Sequence, residues 1–268
     1  MSKTTLSHLM LMKHHKQKMA CLTAYDASFA YQVSQAGTDI ILVGDSLGMV
    51  IQGLETTVPV TLEQMVYHTK AVARGIAKTE HQAFLMADLP FMTYATPEQC
   101  YQSSAQLMQA GAQMVKLEGG HWLIPTIKGL TERGISVCGH LGLTPQSVDI
   151  LGGYKVQGRD NESAKQILHD AKALVEAGVK MLVLECVPTP LAKQVADSVA
   201  IPVIGIGAGP DTDAQVLVLT DMLGITPGFK AKFVKDFMVD ANNIPEALAA
   251  FVKAVKSGEF PAAEHCFS

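Results

Sequence analysis

Short apolar runs in this chain end in acidic or imidazole side chains. IILVGD stops at Asp45, FLMAD at Asp88, MVKLE at Glu118, VCGH at His140 and MLVLE at Glu185. An ionised carboxylate is costly to bury without a partner. Repeated endings of this kind predict strands that deliver their polar ends to one common place. A larger unit recurs as well: Ala-Gly, a few spacer residues, an apolar run, then an acid. It reads AGTDIILVGD at 36–45, AGAQMVKLE at 110–118 and AGVKMLVLE at 177–185. Glycine is a favoured helix stop, and the Val-, Ile- and Leu-rich run after it reads as a buried strand.

The pattern predicts strands near 20–25, 40–44, 84–88, 114–118, 135–139, 180–185, 203–207 and 216–220. Amphipathic helices are expected at 61–77, 96–110, 162–177 and 188–198. Thr61 with Gln64 forms a capping-box pattern, and Thr96 with Pro97 opens the next helix. Strand–helix alternation with roughly eight strands points to an α/β fold, a (β/α)8 TIM barrel. One domain is expected over 1–268, with an N-terminal extension at 1–18 and a helical tail from about 228 to 268. An open doubly wound sheet is the alternative, but acids closing strands all along the chain suit a ring of strand ends better than one crevice.

Composition supports this picture and narrows the partners. Hydrophobic residues make up 48% and charged residues 17%, and the mean hydropathy of +0.20 fits parallel strands covered on both faces. The net charge is −4 without a basic stripe, so no nucleic-acid partner is expected. No apolar run approaches the roughly 18–20 residues that span a membrane, and the first residues carry no signal-peptide core. The five cysteines are odd in number, widely spaced and form no CxxC pair. Cys21, Cys138 and Cys186, in apolar runs, read as small buried hydrophobes, and the chain as reduced and cytoplasmic.

The candidate chemistry lies at the strand ends. Asp45, Asp88 and Glu118 offer carboxylate oxygens that suit a hard cation such as Mg²⁺. For any one of them, capping a helix is as good a reading; for all three together a metal site is the better one. Lys116 shares a strand face with Glu118 and needs an anion nearby, either Glu118 or a substrate. Glu185, in apolar company, suits a general base; a further metal ligand or a rim salt bridge is the alternative. A lone His140 reads first as a structural histidine. Ser46, in the GDSLG turn, could donate to a substrate carboxylate, and the GIGAG glycines at 205–209 read as tight packing at the rim. Together these residues describe a metal-assisted barrel enzyme for a small 2-oxo acid, in which a cation polarises the ketone and a carboxylate removes the adjacent proton.

The stretches TAYDASFA (23–30), LVGDSLGM (42–49), MADLPFMTYATPEQ (86–99), GAQMVKLEGG (111–120), VCGHLGLTPQSV (137–148), GGYKVQGR (152–159), LVLECVP (182–188) and IPVIGIGAG (201–209) resemble the ketopantoate hydroxymethyltransferase family. The resemblance runs from about residue 20 to the Glu-His pair at 264–265. It implies transfer of a one-carbon unit from 5,10-methylenetetrahydrofolate to 3-methyl-2-oxobutanoate, giving 2-dehydropantoate for pantothenate and coenzyme A synthesis. It implies one Mg²⁺ per subunit at Asp45, Asp88 and Glu118. Asp45, Ser46, Asp88 and Lys116 would line the oxo acid, with Glu185 as proton acceptor. It also implies a homodecamer of two pentameric rings. The chain departs from the family pattern at Leu54, Glu55 and Thr56, at Ala214 and Thr220, and in GFKAKF at 228–233. The competing readings are another Mg²⁺-dependent 2-oxo acid barrel enzyme, of the phosphoenolpyruvate mutase or carbon–carbon lyase type, and a metabolite-binding protein on the same fold.

Overall fold

The computed structural model describes residues 2–228 and 230–268. Phe229, within the GFKAKF departure, lies outside the described residues. Eight parallel strands close into a barrel in the order β8-β1-β2-β3-β4-β5-β6-β7. They are β1 (Met19–Thr23), β2 (Ile40–Val43), β3 (Phe84–Asp88), β4 (Met114–Glu118), β5 (Val137–Gly142), β6 (Met181–Glu185), β7 (Val203–Ile206) and β8 (Ala214–Leu217). Helices α1 (Leu6–His14), α2 (Ala27–Gln35), α3 (Leu62–Ile76), α4 (Pro97–Gln109), α5 (Ile124–Glu132), α6 (Asn161–Glu176), α7 (Thr189–Ser198) and α8 (Ile244–Ser257) accompany them. The expected closed barrel is therefore present.

Local chemistry explains the helix ends. Thr61 accepts from the Gln64 N–H while the Gln64 side chain accepts from the Thr61 N–H, which completes the expected box at α3. Thr96 caps α4, with Pro97 in its first turn. The Ala-Gly units follow α2, α4 and α6, and Gly37, Gly111 and Gly178 all adopt positive φ, where a side chain would add strain. No helix intervenes between β7 and β8. The eighth strand sits earlier than expected, because the Leu219 N–H donates to Thr23 Oγ1 and turns the chain into a short helical turn, Leu219–Met222. The tail after 228 is helical mainly over α8, which opens on an Asn243 cap.

Alternation along the strands divides the core. Outward residues such as Ile41, Val43, Leu85, Ala87, Val115, Leu117, Leu182 and Leu184 pack in one cluster with residues of the surrounding helices. Inward residues, among them Met19, Cys21, Ile40, Phe84, Met86, Met114, Cys138 and Met181, form a second cluster that includes Leu9 and Met12 of α1. The first helix thus plugs the N-terminal mouth of the barrel, and the C-terminal mouth stays open to a pocket. The five cysteines are free. Among the described residues no helix is long and apolar enough to cross a membrane.

Candidate active site

Strand periodicity places the charged residues. Met86 and Asp88 lie two apart on β3, as do Met114, Lys116 and Glu118 on β4, Cys138 and His140 on β5, and Val183 and Glu185 on β6. Each set points to one face, and the lower members lie in the interior cluster. The upper members therefore emerge at the C-terminal mouth, the face on which barrel enzymes build their sites. Asp45 and Ser46 reach the same pocket from the turn after β2, and Asp45, Ser46, Asp88, Lys116, Glu118, His140 and Glu185 all line it.

Register decides which of them meet. Asp88 is the strand partner of Lys116, and Lys116 Nζ donates to Asp88 Oδ1 at 2.6 Å. Its distance to Glu118 Oε1 is 3.9 Å, so the partner expected from spacing is the weaker one. Burial opposes charge on Lys116, but the carboxylates of Asp88, Glu118 and Asp45 outweigh it and hold the ammonium above its ordinary range. Burial, then the charges of Asp88 and Glu118, push the Asp45 carboxyl well above the usual carboxylate range. The Asp45 N–H donates to Asp88 Oδ2 at 3.1 Å.

Glu118 pairs in register with His140. His140 Nδ1 lies 3.3 Å from Glu118 Oε1, and Nε2 lies 3.3 Å from Glu185 Oε2. Neither contact has full hydrogen-bond geometry, yet the buried imidazole stands between two carboxylates. Burial and the Lys116 charge work against its protonation, and the two carboxylates overcome them and push it up to about 9. Burial likewise opposes ionisation of Glu118, but His140, Lys116 and the Gln146 N–H hold it below the usual carboxylate range. Glu185 is the more open member, its side chain 16% exposed against 3% for Glu118.

Sequence reasoning missed Gln146. Its Nε2 donates to Asp45 Oδ2 at 2.8 Å and to Leu89 O at 2.9 Å, and its backbone N–H donates to Glu118 Oε2 at 3.0 Å. Tyr94 Oη donates to its Oε1. One neutral residue thus ties two of the acids and the β3 loop together, Asp45 and Leu89 through its side chain and Glu118 through its backbone N–H. Its only signal was its place in GLTPQS, just after the β5 strand end. Tyr25 Oη lies 2.9 Å from Ser46 Oγ, which holds the hydroxyl at the pocket wall. The GIGAG glycines make room for side chains: a Cβ on Gly207 would meet Phe233 at 2.8 Å and Phe267 at 3.0 Å.

The donors fit a hard cation in one place. Among the described residues no three His, Cys, Asp or Glu side chains are close enough to hold an ion together. Mg²⁺, however, is usually bound by one or two carboxylates with water and substrate completing its shell. Asp45 and Asp88 form such a pair, with a surplus of negative charge that raises the Asp45 carboxyl. Gly44 keeps the space beside them open, since a Cβ there would lie 2.7 Å from Ser46 Oγ and 3.5 Å from Asp88 Oδ2. Glu118 is already engaged by Gln146 and His140.

Known proteins resemble this chain at two levels. In fold, the chain is similar to phosphonopyruvate hydrolase solved with oxalate and Mg²⁺, with a TM-score of 0.61, 13% identity and 80% of each chain covered. In sequence, it is 55% identical over 268 residues to the 3-methyl-2-oxobutanoate hydroxymethyltransferase of Shewanella loihica, covering 100% of both. It is 56% identical over 264 residues to 3-methyl-2-oxobutanoate hydroxymethyltransferase 2 of Hahella chejuensis, covering 98% of each. Residues 3–263 match the family model for ketopantoate hydroxymethyltransferase, and with whole-length identity of this order the chain belongs to that family.

Proposed function

We propose that this chain is a 3-methyl-2-oxobutanoate hydroxymethyltransferase that makes 2-dehydropantoate for pantothenate synthesis. The observation that carries the reading is a pocket in which Asp45, Ser46, Asp88, Lys116, Glu118 and Glu185 converge, in a chain similar over its whole length to enzymes of that name. The long sequence match favours it over a phosphoenolpyruvate mutase or lyase activity, for which the likeness is one of fold.

In this reading Asp45 and Asp88 would hold one Mg²⁺ per subunit, with Glu118 as the third acid beside them. The cation would supply Lewis acidity to the ketone and carboxylate of the oxo acid. Ser46 donates to the substrate carboxylate, and the Lys116 ammonium, 2.6 Å from Asp88, offers positive charge to the oxygen on which charge develops. Glu185 takes the C3 proton. The electron pair of that C–H bond moves toward the ketone and then forms the new bond to the one-carbon unit of 5,10-methylenetetrahydrofolate. Water supplies the hydroxyl oxygen, the two carbon–nitrogen bonds to the one-carbon unit break, the proton held by Glu185 and one from water pass to the two nitrogens of the leaving tetrahydrofolate, and no net oxidation is required. Losing a positioned base costs about 10²–10⁴-fold.

The test uses Glu185→Gln, which keeps shape and removes basicity. Exchange of the C3 proton into deuterated water without folate, followed by NMR, should fall about 10²–10⁴-fold. Exchange at the parent rate would assign the base elsewhere. Turnover of the parent should require methylenetetrahydrofolate and stop in excess chelator. We place the protein in the cytoplasm, in keeping with its free thiols, and assign it a homodecamer of two pentameric rings. Exposed Tyr67, Ile225 and Val239 offer apolar surface for a heterologous ring contact. Light scattering at micromolar concentration should give a decamer; a stable monomer would overturn the assignment.

A further inference from the structure

The pocket has two unlike walls. Its volume is about 670 Å³, in the range of sites that take whole drug-sized ligands, and a five-carbon oxo acid fills only part of it. The acids of the β2–β6 side form one wall. The other, contributed after β7 and β8, presents Ile206, Val218, Pro227, Phe233 and Phe267. Gly207 allows those two aromatic rings to approach the strand end.

That apolar wall holds a carboxylate, Asp221, which the chemistry above does not use. It lies on the turn after β8 and lines the same pocket. Thr226 Oγ1 is 2.6 Å from Asp221 Oδ1 and 2.8 Å from Thr220 Oγ1. Thr226 has one hydroxyl hydrogen for these two acceptors, and given to Asp221 at the shorter distance it fixes the carboxylate without neutralising it. Lys230, the nearest lysine along the chain, pairs with Asp236 instead. Lys232, also on this wall, donates to the Cys266 carbonyl. Burial pushes the Asp221 carboxyl above its ordinary value. A fixed, half-buried carboxylate set in an apolar wall, with Lys230 near enough to act on it only as a distant charge, calls for a flat ligand with hydrogen-bond donors along one edge.

A reduced pterin has that form. Its 2-amino group and N3–H are adjacent parallel donors, and an ionised carboxylate accepts two such bonds side by side. We propose that Asp221 anchors the folate co-substrate, accepting from the pterin N3–H and 2-amino group while the ring lies against Phe233 and Phe267. The inference rests on the folate-dependent reading above. Asp221 is a binding residue for the second substrate and takes no part in proton transfer from the oxo acid.

The experiment is a cycle on the intact protein. Binding of tetrahydrofolate and of its 2-desamino analogue is measured by calorimetry on the parent and on Asp221→Asn. A hydrogen bond to a charged group sets the expected loss, so either change alone should weaken binding about 10- to 100-fold. The two together should cost little more than one. The folate-independent C3 exchange should stay within about twofold, because the oxo acid does not touch Asp221. The proposal is overturned if Asp221→Asn binds tetrahydrofolate like the parent, or if removing the 2-amino group weakens both proteins equally. A parent that binds no tetrahydrofolate would overturn the folate reading, and this proposal with it. If Asp221→Asn fails to fold, Thr226→Val carries the test. Loss of the orienting hydroxyl should weaken tetrahydrofolate several-fold and the analogue less, and equal losses would again overturn the assignment.

Discussion

The lower and upper layers of the barrel interior are built on the same strands and obey opposite rules. Met86 gives way to Asp88, Met114 to Lys116 and Glu118, Cys138 to His140, and Val183 to Glu185, in each case two residues further along. Two residues of strand rise about 7 Å. Within that distance the interior changes from close-packed sulfur and hydrocarbon to titratable side chains that are almost as buried. The lower layer gains free energy from burial and close packing. The upper layer holds an excess of carboxylates over cations and is kept folded by the layer beneath it. Barrel stability and barrel chemistry are thus separated along the strand rather than between domains.

The largest expected effect breaks the upper layer. Lys116→Met removes the buried cation next to Asp88 and leaves Asp45, Asp88 and Glu118 facing one another. Removing one partner of a buried pair typically costs about 3–5 kcal/mol. Losing a preorganised charge typically costs about 10²–10³-fold in kcat. Melting temperature and turnover should therefore fall together. An unchanged Tm would show that Lys116 is not the balancing charge.

Phe84→Ala probes the lower layer. Phe84 is inward, buried and remote from the pocket lining. Truncating a buried Phe costs about 3–5 kcal/mol, or roughly 6–20 °C in Tm at about 2–4 °C per kcal/mol. Well below its melting point the variant should turn over within about twofold of the parent. A large fall in kcat with intact binding would mean that the layers are not separable.

This two-layer arrangement was partly legible in the sequence. Asp88, Glu118 and Glu185 stand as the last residues of their strands because burial cost forces acids to strand ends. The partner of Lys116 was not legible. Spacing along β4 suggested Glu118, whereas the register between β3 and β4 brings Asp88 alongside, and register is a property of two segments. His140 read as an ordinary structural histidine for the same reason, since its neighbours come from β4 and β6. Gln146 carries no charge and lies in a loop, so nothing in the pattern singled it out, although it touches both Asp45 and Glu118. Asp221 was hidden by the last strand, which the apolar pattern carries through 220 but which ends at Leu217, before the Leu219 N–H donates to Thr23.

The smallest expected effect sharpens the comparison through stability alone. In chelator the upper layer should weaken the fold as pH rises, and the sign follows from two groups. Asp45 has its carboxyl raised by burial and by Asp88 and Glu118, so its contribution is lost as pH rises through its folded value. His140 is raised from 6.5 to about 9. Its stabilisation is full below 6.5 and disappears as pH climbs through about 9. His140 thus predicts a falling Tm between about pH 6.5 and 9 without metal, and Asp45 acts in the same direction. A cation held by Asp45 and Asp88 would favour the ionised form of Asp45, removing its share of that slope. Binding to the native state alone at a hundred times Kd adds about 2.7 kcal/mol, or roughly 5–11 °C at the same conversion. Mg²⁺ should therefore raise and flatten the Tm–pH curve. The increment should persist in Phe84→Ala, whose defect lies in the other layer, and shrink in Asp45→Asn. Scanning fluorimetry across that pH range decides it: an equal increment in Asp45→Asn and the parent would place the cation away from this pair.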